Sequence, residues 1–180
     1  TVKLTANAND QVGHANLNTT IDFQHDFTLS GALQVGYSSG ADGVSLVFVQ
    51  APENPTETFN GMKGGGLGIA GLKNAFGFVF DPWGNSGDPS DGGEENNQFG
   101  DPTTPYMGWR TTDEDGLINN YTQSDWETDD NIAASSTTWQ HMSSQILNGS
   151  FHNFTMSYHY DATSGTGTLT MDVPDNGTNH

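Results

Sequence analysis

The pattern of apolar and polar positions along the chain favours β-strands throughout. Apolar residues alternate with polar ones over residues 154–160 and again over 169–173, and the polar turn between these runs predicts a hairpin. Residues 74–80 place three Phe on one face of a strand and Val79 with small residues on the other. Helical periodicity is scarce, so the chain is predicted to be all-β, as a sandwich or a barrel.

Two further apolar runs carry more specific expectations. Residues 27–37 alternate but are interrupted at Ser30 and Gly31, which predicts two strands joined by a tight turn. Residues 44–49 are almost entirely apolar, which predicts a central strand covered on both faces. Segments 81–105 and 111–138 are polar and acidic and are predicted to be long surface loops. We expect one domain over residues 1–180.

Charge and cysteine usage exclude several classes of function. The chain has 180 residues, with 22 acidic residues against 4 basic ones, for a net charge of −18. Such a surface repels phosphate, so binding to nucleic acid is excluded and anionic membranes are disfavoured. No apolar run approaches the ~18 residues of a spanning helix, so no membrane insertion is expected. Without cysteine the chain has no disulfide, thiol nucleophile or cysteine-bound zinc.

Two candidate binding features each precede an apolar run, the first before residues 44–49 and the second before residues 74–80. Asp42 stands at the entrance of the 44–49 strand, where its carboxylate can accept two hydrogen bonds. Residues 64–69 are rich in glycine, which allows another molecule to approach the backbone closely. The Lys-Ser/Thr and the helix of a phosphate-binding loop do not follow. Taken singly, both features are also compatible with ordinary turns.

A third candidate feature is a set of oxygen donors. Asp81, the carbonyl of Trp83 and Asn85 alternate along one loop, and Asp101 returns further on. Carboxylate, carbonyl and amide oxygens suit a hard cation such as calcium. The spacing is not that of an EF-hand, and a loop rich in Asp and Asn without a metal remains the alternative.

In this order, the three features resemble the legume-type (L-type) lectin family, especially its bacterial adhesin branch. The resemblance covers most of the chain and implies a concanavalin-like antiparallel β-sandwich (jelly roll). It further implies a calcium-dependent carbohydrate-binding domain of a secreted, cell-wall-anchored surface adhesin, with host or bacterial glycans as partners. The matching segments are residues 41–43, 64–69, 79–85, 101–102 and 105–108.

The resemblance also implies roles for individual residues. Asp42 is expected to bind sugar hydroxyls, after a cis bond from Ala41, and Gly64 or Gly65 to donate a backbone amide. The remaining sugar-binding residues are expected to be Asn85, through its amide, and Trp83, through stacking of its ring. The calcium ligands are expected to be Asp81, the Trp83 carbonyl, Asn85 and Asp101, with Asp88 as a rival for Asp101.

Two departures from the family pattern limit these expectations. Val79 and Tyr106 stand where the family has the Glu and His of its transition-metal site, so calcium is the one metal predicted. The family also continues past the last hairpin with further strands. Two alternatives stay open there: the chain is truncated, or this member ends differently.

Two functions other than sugar binding are considered for this fold: hydrolysis of polysaccharides, and a protein-binding or structural role. Jelly-roll glucanases share this architecture but need two facing carboxylates ~5–9 Å apart. Their Glu-x-Asp-x-x-Glu strand motif is absent, and the nearest pair, Glu127 and Asp129, lies in a polar stretch without strand alternation. We therefore expect no enzyme activity. The alternative function is a protein-binding or structural adhesin module with the same fold and no sugar binding.

Overall fold

The fold was analysed in a computed structural model of the chain. It describes residues 1–5, 11–17, 19–37, 40, 42–50, 61–83, 105–118, 139–176 and 178–179. Within these ranges the secondary structure is almost entirely β, with short 3-10 turns at Gly64–Gly66 and Pro174–Asn176. The described strands are β1 (Phe27–Leu33), β2 (Val44–Phe48), β3 (Phe76–Asp81), β4 (Tyr106–Thr111), β5 (Trp139–His141), β6 (His152–Asp161), β7 (Thr166–Val173) and β8 (Thr178–Asn179).

The strands form two antiparallel sheets of four strands each. The first sheet has the order β1-β6-β7-β8 and the second β2-β3-β4-β5. Alternation along the strands turns one apolar face of each sheet inward, where the two faces build a shared core. This confirms the predicted all-β antiparallel sandwich, and β6 with β7 confirms the predicted hairpin. Fully buried members of the core include Phe78, Phe80, Met107, Met156 and Met171.

Strand β1 corrects one expectation. It runs without interruption through Ser30 and Gly31, where the sequence had predicted a turn between two strands. Gly31 pairs with Phe154 of β6, and a Cβ atom on Gly31 would lie 3.1 Å from the Phe154 ring. The glycine therefore makes room for an aromatic side chain in the core rather than reversing the chain.

The expectation for residues 44–49 holds in part. Strand β2 is covered on both faces as predicted, with Leu46 against the inner core and Val47 against a second, outer cluster. Within the described part of the chain, however, β2 pairs with β3 alone. Strand β3 lies between β2 and β4, and it buries Phe78 on its inner face and Val79 on its outer face. Its many large apolar residues follow from this double burial.

The outer face of the second sheet is covered by the glycine-rich segment, residues 61–75. Leu67, Ile69 and Leu72 of this segment pack against the outward-facing side chains of β3, β4 and β5. The residues they cover are Val79, Tyr106 and Trp139. This second apolar layer places the Gly64–Gly66 turn against the sheet instead of in solvent.

An aromatic cluster links the two sheets at the far end of the β2–β3 ladder. Phe23, Phe27 and Tyr158 approach Phe48 and Phe76, with ring centroids 5.0–6.0 Å apart. Edge-to-face and stacked pairs of this kind stabilise a core beyond the area they bury. At the opposite end of the ladder, β2 begins after Asp42 and Gly43, and β3 ends at Asp81. No helix among the described residues has the length and apolar character needed to cross a membrane.

Candidate functional site

The candidate site lies where three strands of the second sheet begin or end together. Val44 pairs with Phe80, so Asp42 and Gly43 enter β2 beside the end of β3. Asp81 is the last residue of β3 and pairs with Tyr106, the first residue of β4. The antiparallel register therefore brings the predicted sugar-binding aspartate and the first predicted calcium ligand to the same end of the sheet.

Gly43 makes this close approach possible. A Cβ atom at this position would lie 2.2 Å from the carbonyl oxygen of Phe80 and 2.9 Å from Cδ2 of Leu67. Both distances are far below van der Waals contact, so a larger residue would push β2 away from β3 or from the glycine-rich segment. The glycine after Asp42 is thus required by packing between three elements.

The start of the glycine turn lies close to the Asp42 carboxylate. Gly64 has φ +69° and starts the 3-10 turn, which Leu67 ends by donating its N–H to the Gly64 carbonyl at 2.9 Å. A Cβ atom on Gly64 would lie 4.0 Å from Oδ2 of Asp42. Gly64 and Gly65 are the first residues of the turn, so their N–H groups have no acceptor inside it. The structure brings Asp42 and Gly64 together, and their roles in sugar binding stay predictions.

Asp81 and Trp83 form a short polar turn directly after β3. The Asp81 side chain is buried, with 1% of the residue exposed, and its Oδ1 accepts a hydrogen bond from the Trp83 N–H at 2.9 Å. Pro82 between them is buried as well. Trp83 is 43% exposed. The turn thus holds a carboxylate inside the fold and presents an indole ring at the surface.

The donor set at this turn suits a hard cation. A buried carboxylate is stabilised by hydrogen-bond donors or by a nearby positive charge, and calcium prefers oxygen ligands. Asp81 and the Trp83 carbonyl fit that preference. Within the described residues no group of three or more His, Cys, Asp or Glu side chains is arranged to hold a metal. The calcium site therefore stays a prediction.

The positions of the family's transition metal are filled by apolar packing. Val79 and Tyr106 are fully buried in the outer cluster, beneath the glycine-rich segment. The Tyr106 hydroxyl accepts a hydrogen bond from Nη1 of Arg110 at 3.0 Å. A carboxylate and an imidazole are thus replaced by side chains that join the core.

Several predicted residues lie outside the described ranges. These are Ala41 with its cis bond, Asn85, Asp88 and Asp101. The two carboxylates nearest to a glucanase pair, Glu127 and Asp129, lie outside them as well. Their roles stay predictions.

Two polar residues near the site were not singled out from the sequence. Ser45 of β2 donates from its hydroxyl to the Leu67 carbonyl at 2.6 Å. Arg110 is one of four basic residues in the chain and is only 2% exposed. The sequence did carry a signal for Ser45, because it is the one residue with a hydroxyl in the apolar run 44–49. Arg110 carried no such local signal, because its burial depends on packing between strands distant in sequence.

Among the described residues, Asp26 and His159 form a pair on the first sheet in which both side-chain pKa values are shifted. The Tyr160 N–H and the His159 ring both lower the pKa of Asp26, and Asp26 in turn raises the pKa of His159. The Asp26–His159 contact measures 3.0 Å and both side chains are exposed. This pair joins the start of β1 to β6 and has no part in the candidate site.

Comparison with known families identifies the architecture. The model of the legume lectin beta-barrel domain matches residues 1–179. The chain belongs to the legume lectin family. This confirms the resemblance on which the site residues were predicted.

The legume lectin domain is also similar to part of much longer proteins. It is 33% identical over 170 residues to a protein of Staphylococcus aureus strain USA300 named "Serine-rich adhesin for platelets". The match covers 89% of this chain and 7% of that protein. The protein of the same name from strain MRSA252 is 32% identical, with 89% and 11% covered. The domain thus spans a small part of these relatives.

Proposed function

We propose that this legume lectin domain is a calcium-dependent carbohydrate-binding domain of a bacterial cell-surface adhesin, located outside the cell. The proposal rests chiefly on one observation, the contact-range approach of the Asp42 carboxylate to the Gly64 turn beside the end of β3. Family membership and the similarity to proteins named as serine-rich adhesins support the adhesin role. The proposed partners are host or bacterial glycans.

Sugar recognition would use acceptors and donors that face the same space. The Asp42 carboxylate accepts hydrogen bonds from two sugar hydroxyls, and such charge-assisted bonds are among the strong ones. A backbone N–H of Gly64 or Gly65 donates to a hydroxyl oxygen, and the Asn85 amide donates to another. The exposed Trp83 ring offers an apolar face for the C–H side of the sugar. None of these groups undergoes a chemical change, so the domain binds without catalysis.

Calcium would be held by Asp81, the Trp83 carbonyl, Asn85 and Asp101. When bound, it supplies positive charge to the buried Asp81 carboxylate and fixes the loop that bears Asn85. Asp81 is already oriented by the Trp83 N–H, so little of its side chain has to be ordered. A loop that is ordered before the sugar arrives loses less entropy on binding, which favours affinity.

A single site of this kind is expected to be weak. A shallow contact worth about 4 kcal/mol corresponds to a millimolar dissociation constant. Many copies presented on one cell wall bind together far more tightly than one copy, since later contacts form at high effective concentration. This fits a domain that occupies a small fraction of much longer adhesins.

A glycan-array screen with calcium and with EDTA tests the proposal. Asp42→Ala is compared with Asp115→Ala, which removes an equally charged but exposed carboxylate outside the site. We expect binding that is lost in EDTA and in Asp42→Ala and retained in Asp115→Ala. Binding that persists in EDTA and in Asp42→Ala would refute the proposed site. No binding under any condition would favour a protein-binding module of the same fold.

A further inference from the structure

Ser45 connects β2 to the glycine turn. Its hydroxyl donates to the Leu67 carbonyl across 2.6 Å, and the contact is partly buried. Ser45 lies on the outer face of β2, next to the apolar layer that contains Val47 and Leu67. A short hydrogen bond in such surroundings is less exposed to competition from water than one at the surface.

Leu67 is held in an unfavourable backbone conformation. Its φ is +50°, in the left-handed region that residues with a Cβ atom rarely adopt. Three contacts hold it there. The Leu67 N–H donates to the Gly64 carbonyl at 2.9 Å, its carbonyl accepts the Ser45 bond, and its side chain is 6% exposed. Conformations of this kind persist where the surrounding structure over-determines them.

These contacts lie close in sequence to the two halves of the proposed sugar site. Asp42 is three residues before Ser45 on the same segment, and Gly64 is three residues before Leu67. We propose that Ser45 is a positioning residue that holds the Gly64 turn against Asp42 and thereby sets sugar affinity. This inference rests on the proposed function, since it assigns a role within that site.

Titrations in the presence of calcium test the role of the hydroxyl. The wild type and three variants are compared, and the probe is a glycan that the wild type binds on the array. Loss of one hydrogen bond predicts about fivefold weaker binding for Ser45→Ala. Calcium affinity should change less than about twofold, because the Ser45 hydroxyl donates to Leu67, which is not a predicted calcium ligand. Ser45→Thr keeps the hydroxyl and suits a strand, so it should bind like the wild type. Ser30→Ala removes an exposed hydroxyl on the other sheet and serves as the control.

Amide hydrogen exchange gives a readout that needs no sugar. The Leu67 N–H is bonded to the Gly64 carbonyl, so a loosened turn exposes it. We expect about fivefold faster exchange at Leu67 in Ser45→Ala, and wild-type exchange in Ser45→Thr and Ser30→Ala. If the wild type binds no sugar, the proposed function fails, while this exchange still decides whether Ser45 positions the turn. Unchanged exchange in Ser45→Ala, or weak binding in Ser45→Thr, would overturn the inference.

Discussion

Gly64→Ala and Gly165→Ala form a matched pair that separates backbone strain from loss of the site. Both glycines have φ +69°, and neither would meet a neighbour closer than 4.0 Å with a Cβ atom. A left-handed conformation costs a residue with a Cβ atom about 1–2 kcal/mol. For a chain of this size, each kcal/mol lowers the melting temperature by about 2–4 °C. Both variants should therefore melt about 2–8 °C below the wild type, as calorimetry would show.

Glycan binding should distinguish the two variants. The added methyl at position 64 lies 4.0 Å from Oδ2 of Asp42, whereas Gly165 sits in open space in the β6–β7 turn. A sugar hydroxyl bonded to Asp42 needs an oxygen–oxygen distance of about 2.7 Å, so it competes with the methyl for the same volume. Losing one hydrogen bond to a charged group costs about 1.5–3 kcal/mol of binding free energy. This cost raises the dissociation constant roughly 10- to 150-fold. Equal affinities of the two variants in titration calorimetry would refute the placement of the sugar between Asp42 and Gly64.

Three further predictions concern stability, pH and calcium. Both ring nitrogens of the buried His152 face oxygens, of Asp175 at 2.6 Å and of Asn148 at 3.0 Å. His152→Ala should lower the free energy of unfolding in urea by about 1–3 kcal/mol, and no change would contradict this network. The pKa of Asp26 is lowered from its ordinary value of 3.8, and the pKa of His159 is raised from its ordinary value of 6.5. The pair therefore stabilises the fold fully between pH 3.8 and pH 6.5, where both groups are charged. The stabilisation is lost as pH falls through the lowered pKa or rises through the raised one. The melting temperature of Asp26→Asn should thus fall further below that of the wild type at about pH 5.5 than at about pH 9; an equal gap would argue against the pair. Calcium at about a hundred times its dissociation constant should stabilise the wild type by about 2.7 kcal/mol, and Asp81→Asn should abolish this rise in melting temperature. A full rise in Asp81→Asn would exclude Asp81 as a ligand.

Much of the fold could be predicted from alternation alone. The period-two pattern of residues 74–80 predicted that Phe78 and Val79 face opposite sides of a strand, and the structure buries one on each face. The prediction failed at Gly31, because a glycine that accommodates Phe154 looks the same in sequence as a glycine in a turn. Residues 44–49 were predicted to form a central strand, whereas among the described residues β2 pairs with β3 alone, because strand order depends on pairings distant in sequence.

The candidate site was predictable to the extent that its motifs are local. Asp42 and Gly64 could be named from short segments that resemble the family, and the structure brings them together. Their distance could not be predicted, because the two segments, far apart in sequence, meet only through tertiary contacts such as the packing of Leu67 against the sheet. Arg110 could not be predicted as buried either, since a cation is normally found at the surface.

The register of the first sheet determines how this domain would bear mechanical load. Strand β1 begins at Phe27, beside Tyr158, whereas β7 ends at Val173, toward the other end of the same sheet. Tension applied at the start of β1 and at the end of β7 would therefore pull along the strands. The hydrogen bonds of an antiparallel ladder run across the strands, so all seven residue pairs between β1 and β6 resist sliding together. A domain pulled in this geometry is loaded in shear, so the pairs of the β1–β6 ladder share the force.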